Sequence, residues 1–249
     1  EKNSELFEPE NIAFLQALSQ QCFQSEYVYS ETPEELEHLK SLEEKLVLDL
    51  NSSESVGSRY VVEILLISTY KPLFQTSFYD FISNEILEYE NGLLNETYRQ
   101  QVREPLQERK IIDSISQMTP IKDKVSEAVQ LQYEENSYPR WKSLPFGEML
   151  NFPEFMLHNY SQYIGQKNDW PTHPNILIAG CGTGQHPIST ARTIKDINML
   201  AIDLSRSSLA YGIRKSQELG VANIDFAQAD ILQMGSITKK FDYIESIGV

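Results

Sequence analysis

The residues most able to do chemistry lie together. Gly180-Cys181-Gly182-Thr183-Gly184-Gln185 follows directly on the apolar run Ile176-Leu177-Ile178-Ala179. Glycine at every second position lets the backbone turn sharply and approach a ligand, because a Cβ would stand in the way. Asp203 ends the next apolar run, 19 positions after Gly184, and Asp230 follows the run after that. A carboxylate behind the second strand of such a unit can accept hydrogen bonds from both ribose hydroxyls of a nucleoside. Asp230 is placed to face an adenine amino group. The dinucleotide fingerprint GxGxxG needs glycine where Gln185 stands, so the loop is GxGxG and a nicotinamide cofactor is disfavoured. Cys181 fits as a small loop residue, and His186 fits a helix start better than a pocket wall. His158 and His173 have no ligand partners in sequence, and Cys22 and Cys181 make no metal spacing, so no metal is expected.

These residues need strands and helices to hold them. Short apolar runs at 175–179, 199–202, 224–227 and 241–246 alternate with amphipathic stretches at 187–194 and 207–219, the second closed by Gly220. That alternation predicts a parallel sheet with helices on both faces and a ligand at the carboxyl ends of the strands. The character changes near Trp170, where Pro171 and Pro174 mark a boundary. Ahead of it the chain predicts helices. Thr32-Pro33-Glu34-Glu35 is a capping-box start, and Leu36, Leu39, Leu42, Leu46 and Leu50 follow at three- and four-residue steps. Residues 60–70 are apolar nearly all round and predict a buried helix. The fold class is therefore α/β, with an all-helical region over 1–170 and a four-stranded, Rossmann-like parallel sheet over 171–249.

Charge follows the same division. Residues 1–170 hold 29 Asp/Glu against 14 Lys/Arg, whereas 171–249 hold 7 of each. Nucleic-acid binders carry a basic face that releases phosphate counterions, so an acidic helical region disfavours nucleic acid as a partner. Its simplest role is solubility, and a protein partner for it stays open. No apolar run approaches the roughly 18 residues of a membrane span, and no signal peptide is visible, so a cytoplasmic location is expected.

The glycine loop, Asp203 after strand two, Asp230-Ile231 after strand three and Phe241-Asp242-Tyr243-Ile244 in strand four together resemble class I S-adenosylmethionine-dependent methyltransferases over about 171–249. The resemblance implies S-adenosyl-L-methionine as cofactor and a small-molecule or protein methyl acceptor. Gly180, Cys181, Gly182, Thr183, Gly184 and Gln185 would frame the methionine part. Asp203 would hold the ribose, Leu204 would pack on adenine, Asp230 and Ile231 would bound its edge, and Ser246 would close the substrate side. The position two before the first glycine, acidic in many family members, is Ile178, so the cofactor's amino group needs another partner; backbone carbonyls of the loop are one. Seven strands are usual for the class, and four are visible here. The chain is expected to be a fragment of a longer enzyme, with little activity by itself. The alternative is a helical interaction module with a non-catalytic methyltransferase-like half.

The stretch Gln132-Tyr133-Glu134-Glu135-Asn136-Ser137-Tyr138-Pro139-Arg140-Trp141 resembles the YEENPYPRW-type segment of bacterial methyltransferases with helical or tetratricopeptide-like N-terminal regions, with Ser137 in place of a proline. Tyr133, Tyr138, Arg140 and Trp141 suit either a lid over the cofactor and substrate or a packing plug, since aromatic side chains bury large areas. A further helix over 152–163 would return the chain beside the glycine loop.

Overall fold

A computed structural model describes residues 9–52, 58–82, 86–87, 92, 94–135, 137–145, 147–160, 162 and 170–247. The chain divides into two compact units, Glu1–Gln107 and Glu108–Val249. That division falls well before the change of sequence character near Trp170. The reason is packing. Ile111, Ile112, Ile115, Trp141 and Phe152 share one apolar core with Ile176 and Ile178 of the sheet.

The first unit is helical among its described residues. It comprises α1 (Pro9–Gln24), α2 (Pro33–Ser52), α3 (Ser58–Ser68), α4 (Asn95–Tyr98), a π-helical turn (Arg99–Arg103) and the start of α5 (Glu104–Ile112). The expected capping box opens α2: Glu35 N–H donates to Thr32 Oγ1 at 3.2 Å, and Thr32 N–H donates to Glu35 Oε2 at 2.8 Å. Those bonds hold the Glu35 carboxyl below its ordinary range. Only part of the predicted leucine stripe is deeply buried. Leu46 lies in the core with Leu39, Leu42 and Leu50 against it, while Leu36 is exposed. Helix α3 is buried through Val61, Val62, Ile64, Leu65 and Ile67, as its composition predicts. The π turn was not legible in the sequence. It buries Gln101, whose Nε2 donates to Ser19 Oγ at 2.9 Å while its Oε1 accepts from Leu73 N–H at 3.2 Å. Ser68 Oγ completes the knot by donating to Ser19 Oγ at 2.6 Å, as buried polar groups require.

The second unit holds α6 (Lys124–Glu135), α7 (Phe152–Asn159) and the alternating series β1 (Asn175–Ala179), α8 (Gln185–Thr193), β2 (Asn198–Asp203), α9 (Arg206–Glu218), β3 (Ile224–Gln228) and β4 (Tyr243–Ser246). The predicted four strands are present and all parallel, in the order β3-β2-β1-β4. The chain reverses direction of travel at β1, which has β2 on one side and β4 on the other. A crevice therefore opens at the carboxyl end of β1, where ligands of such sheets bind. Ile176 and Ile178 face the core shared with α8 and α9; Leu177 and Ala179 face a smaller cluster with Ile231, Met234 and Phe241. Helices were expected on both faces. Among the described residues, the second face meets the 3-10 turn Ile231–Ser236 instead of an α-helix. Helix α7 ends at Asn159, short of the predicted 152–163; residues 161 and 163 lie outside the described set. The segment around Gln117 runs beside β3, where Gln228 N–H donates to Ser116 O and Met118 N–H donates to Gln228 O, both at 2.8 Å. It covers part of an edge that would otherwise be open.

Candidate functional site

The turn out of β1 is built from its own sequence. Gly180 N–H and Cys181 N–H both donate to Ile202 O at 2.9 Å, folding the loop over the end of β2. Gly182 (φ +52°) and Gly184 (φ +81°) have left-handed backbone, and they are glycine for different reasons. A Cβ on Gly184 would stand 2.9 Å from Gly212 Cα, so that glycine lets α8 and α9 approach. A Cβ on Gly182 would meet nothing within 4 Å, because Gly182 opens onto a cavity. Asp203 clamps the loop. Its Oδ2 accepts from Gly182 N–H at 2.8 Å and its Oδ1 from Ser205 N–H at 3.0 Å. Burial pushes the Asp203 carboxyl up, these backbone bonds pull it down, and nearby Glu134 adds a smaller upward push. Burial also pushes the Cys181 thiol well up, with Asp203 adding to it, which makes the sulfur a poor nucleophile.

The cavity measures about 680 Å³ and lies at the carboxyl ends of the first three strands. Gly180, Cys181, Gly182, Thr183 and Gln185 form one wall, with Asp203 and Leu204 beyond them and Asp230 and Ile231 at the far side. Asp230 is 1% exposed. Its N–H donates to Thr119 Oγ1 at 2.7 Å and its Oδ1 accepts from Leu232 N–H at 2.9 Å, but its Oδ2 has no partner. An orphaned buried carboxylate oxygen costs a protein about 1–3 kcal/mol or more unless a donor reaches it. An amino group of a bound ligand is such a donor. The residues present thus fit an adenosine: a carboxylate at the ribose position, an acceptor at the adenine edge and two aliphatic faces between.

The aromatic stretch before the sheet is shared between two jobs. Tyr133 and Tyr138 line the cavity, while Arg140 and Trp141 do not. Trp141 is buried in the core with its ring edge-on to Tyr211, centroids 6.1 Å apart, and its Nε1–H donates to Thr183 O at 3.2 Å. Arg140 lies over the Tyr211 ring and 3.5 Å from Glu108. The stretch as a whole clasps the cofactor loop. Thr183 Oγ1 donates to Pro139 O at 2.7 Å, and Ser205 Oγ donates to Tyr133 O at 3.0 Å.

Two further expected site residues stand off the cavity. Gly184 is a packing residue, and Ser246 turns its hydroxyl back to Ala179 O at 3.1 Å. Several residues at the site were not singled out in the sequence, and His186, expected at a helix start more than in a pocket wall, stands in both. Asp123, Val129 and Gln132 line the wall from α6 and its start, and His186 from the first turn of α8. Glu134 caps α9, accepting from Arg206 N–H at 2.6 Å and Ser207 N–H at 2.9 Å. A carboxylate at a helix N-terminus is favoured there, but its partner lies 72 residues along the chain, beyond any local pattern. Among the described residues no His, Cys, Asp and Glu cluster could hold a metal, and no helix is long and apolar enough to cross a membrane.

A family described as "Methyltransferase domain" matches residues 176–249. A tRNA (guanine-N(7)-)-methyltransferase of Bacteroides thetaiotaomicron is 31% identical over 96 residues, covering 38% of this chain and 36% of its own length. The enzyme of the same description from Rubrobacter xylanophilus is 39% identical over 61 residues, 24% of this chain and 27% of its own. The chain spans little more than a third of the length of the curated relatives it first matches. Among solved structures, magnesium protoporphyrin IX methyltransferase from Synechocystis PCC 6803 overlaps 50% of this chain and 57% of its own, at 20% identity and a TM-score of 0.33, too loose an overlap to argue from. The residues that the family matches, 176–249, include the glycine loop, Asp203 and Asp230 of the cavity wall.

Proposed function

We propose that the protein is an S-adenosylmethionine-dependent methyltransferase whose cofactor pocket is the cavity over β1, β2 and β3. One observation carries the reading: Asp203 and the partnerless Asp230 Oδ2 face a single cavity bordered by the open side of Gly182. In it Gly180, Cys181, Gly182, Thr183 and Gln185 border the methionine part, Asp203 receives the ribose hydroxyls, and Leu204 and Ile231 cover the adenine faces. Asp230 Oδ2 accepts from the adenine amino group. The bound cofactor would supply a methyl group on a sulfonium, already an excellent leaving group. The chain's own residues therefore contribute in-line positioning and exclusion of water more than acid–base work. Tyr133 and Tyr138 supply apolar wall for that exclusion, and Arg140 and Trp141 hold the wall in place from behind.

The Asp203→Ala variant tests the assignment. Losing a charged acceptor from two hydroxyls is expected to weaken S-adenosylhomocysteine binding by about ten- to a hundredfold, on the order of 1.5–3 kcal/mol. Calorimetry measures the affinity and circular dichroism checks the fold. Unchanged affinity in folded protein removes Asp203 from the site.

For the acceptor, a small molecule or a protein fits the acidic balance of the chain. A tRNA acceptor is favoured by the description of the relatives and opposed by that charge. Methyl label carried from S-adenosylmethionine into bulk tRNA would decide for the second; label in protein or small molecules with none in tRNA would decide for the first. The helical region before the sheet then acts as an appended module, of the tetratricopeptide-like kind that the 132–141 stretch suggests, and a cytoplasmic setting suits both acceptors. A non-catalytic interaction module would bind the cofactor and label nothing.

A further inference from the structure

We propose that a second cavity beside α8 holds the methyl acceptor, a small ammonium-bearing molecule, and that His186 takes the proton from its nitrogen. The proposal rests on the reading of the first cavity as the cofactor pocket. The second measures about 440 Å³, the size of a small-molecule site. Among the described residues, His186 is the one that lines both. Its place follows from the sequence of α8. His186, Ser189, Thr190 and Thr193 fall at three- and four-residue steps and make one polar stripe, while Ile188 and Ala191 pack into the core. That stripe lines the second cavity, together with Glu245 of β4, Glu148 and Phe155 of α7.

The lining decides the class of acceptor. It carries two carboxylates and several hydroxyls and, among the described residues, no lysine or arginine. A phosphate or carboxylate would find no counter-charge there, whereas an ammonium finds two, with the Phe155 ring beside them. Glu245 is the register partner of Ile178, so it shares the helix-covered face of the sheet, and its side chain is 14% exposed. His186 Nε2 pairs with its Oε2 at 3.0 Å. The two atoms are not aligned as a hydrogen bond, so the contact is one of charge and strengthens when the ring takes a proton. With Nε2 turned to Glu245, Nδ1 is left to take it. A base and the residue that positions it are thus both in place. An ammonium needs such a base, because its nitrogen has no lone pair until the proton moves to His186. The freed pair then forms the N–C bond to the methyl carbon. The S–C bond breaks and its electron pair stays on sulfur, leaving S-adenosylhomocysteine and a methylated ammonium, and His186 passes its proton to water. Glu148, His158 and Tyr160 are the other titratable groups of the second cavity. Tyr243, on the strand of Glu245, stays neutral, its phenol pushed far up by burial and by its bond with Tyr160. In the first cavity Asp123, Asp203, Asp230, Tyr133, Tyr138 and the neutral Cys181 thiol share the wall with His186.

Calorimetry on the intact protein saturated with S-adenosylhomocysteine tests the site with two probes of like shape, phenethylamine and 3-phenylpropanoate. The ammonium is expected to bind one-to-one and about tenfold or more tighter than the anion. Glu245→Gln should weaken the ammonium about tenfold and leave S-adenosylhomocysteine within about twofold, since Glu245 lines the second cavity and not the first. Equal binding of the two probes, no binding of the ammonium, or an unchanged ammonium affinity in folded Glu245→Gln would overturn the site. If that variant does not fold, the two probes on the unaltered protein decide. Methyl transfer from S-adenosylmethionine to phenethylamine tests the base. His186→Gln should hold the amine within a few-fold yet lose about a hundredfold in rate at neutral pH, and recover most of it at about pH 10, where an alkyl ammonium sheds its proton unaided. A deficit equal at both pH values, or no transfer by the unaltered protein to an amine it binds, would overturn the base. An unaltered protein that does not bind S-adenosylhomocysteine would instead sink the cofactor reading, and the acceptor site with it.

Discussion

Replacing Trp141 with alanine is expected to cost about 3–5 kcal/mol of folding stability. The indole is 7% exposed and belongs to the core that joins the helices to the sheet. Its truncation removes the edge-on contact with Tyr211, the Nε1–H bond to Thr183 O and the cover of the Lys215 ammonium, 4.9 Å from the ring centroid. The backbone around it is tied as well. Tyr211 Oη accepts from Trp141 N–H at 3.0 Å and donates to Trp141 O at 2.6 Å, so the cavity left behind cannot easily collapse. Urea unfolding measures the loss. S-adenosylhomocysteine affinity of the folded fraction should stay within a few-fold, since the indole does not line the cavity. A stability loss under about 1 kcal/mol, together with a large loss of binding, would make Trp141 a pocket residue and restore the lid.

Glu108→Ala is the second large effect, at about 3–5 kcal/mol. Glu108 Oε1 lies 2.8 Å from Arg214 Nε, and its Oε2 lies 3.5 Å from Arg140 Nη1. The side chains of Glu108 and Arg214 are only 10% and 6% exposed. Deleting the carboxylate leaves a guanidinium buried over the Tyr211 ring and takes away its most buried acidic neighbour; Glu218, which it also meets at 3.0 Å, is 40% exposed. The cost is that of a buried charge deprived of its buried counter-charge, which is why the double replacement Glu108→Leu with Arg214→Leu should recover much of it. Guanidinium-free chemical unfolding of the three variants, read as a double-mutant cycle, checks both numbers. If Glu108→Ala and the double variant are equally destabilised, charge burial is not the reason.

These two residues also show where the sequence was legible and where it was not. The four strands fell within two residues of their observed ends, because short apolar runs bounded by turn residues carry a local signal. The glycine loop, Asp203 and Asp230 were legible for the same reason: their roles follow from position after a strand. Trp141 was legible as important and ambiguous as to why. Its type announces a large buried area, but only the packing shows it behind the cavity wall, with Tyr133 and Tyr138 in front. Glu134 and Glu108 were not legible. Each is one acidic residue among many in an acidic stretch, and each is singled out by a partner contributed from α9. The division at Gln107 was hidden likewise, because composition changes near Trp170 while packing changes earlier. The register that sets Glu245 beside Ile178 is a property of the folded sheet, invisible along the chain.

Equilibrium titration of the intact protein with S-adenosylhomocysteine, and separately with NAD, tests the central claim most directly. The cavity between Asp203 and Asp230 predicts saturable, one-to-one binding of S-adenosylhomocysteine and none of NAD, since Gln185 stands where a dinucleotide loop needs its third glycine. Saturable binding of NAD, or no binding of S-adenosylhomocysteine by folded protein, would contradict it.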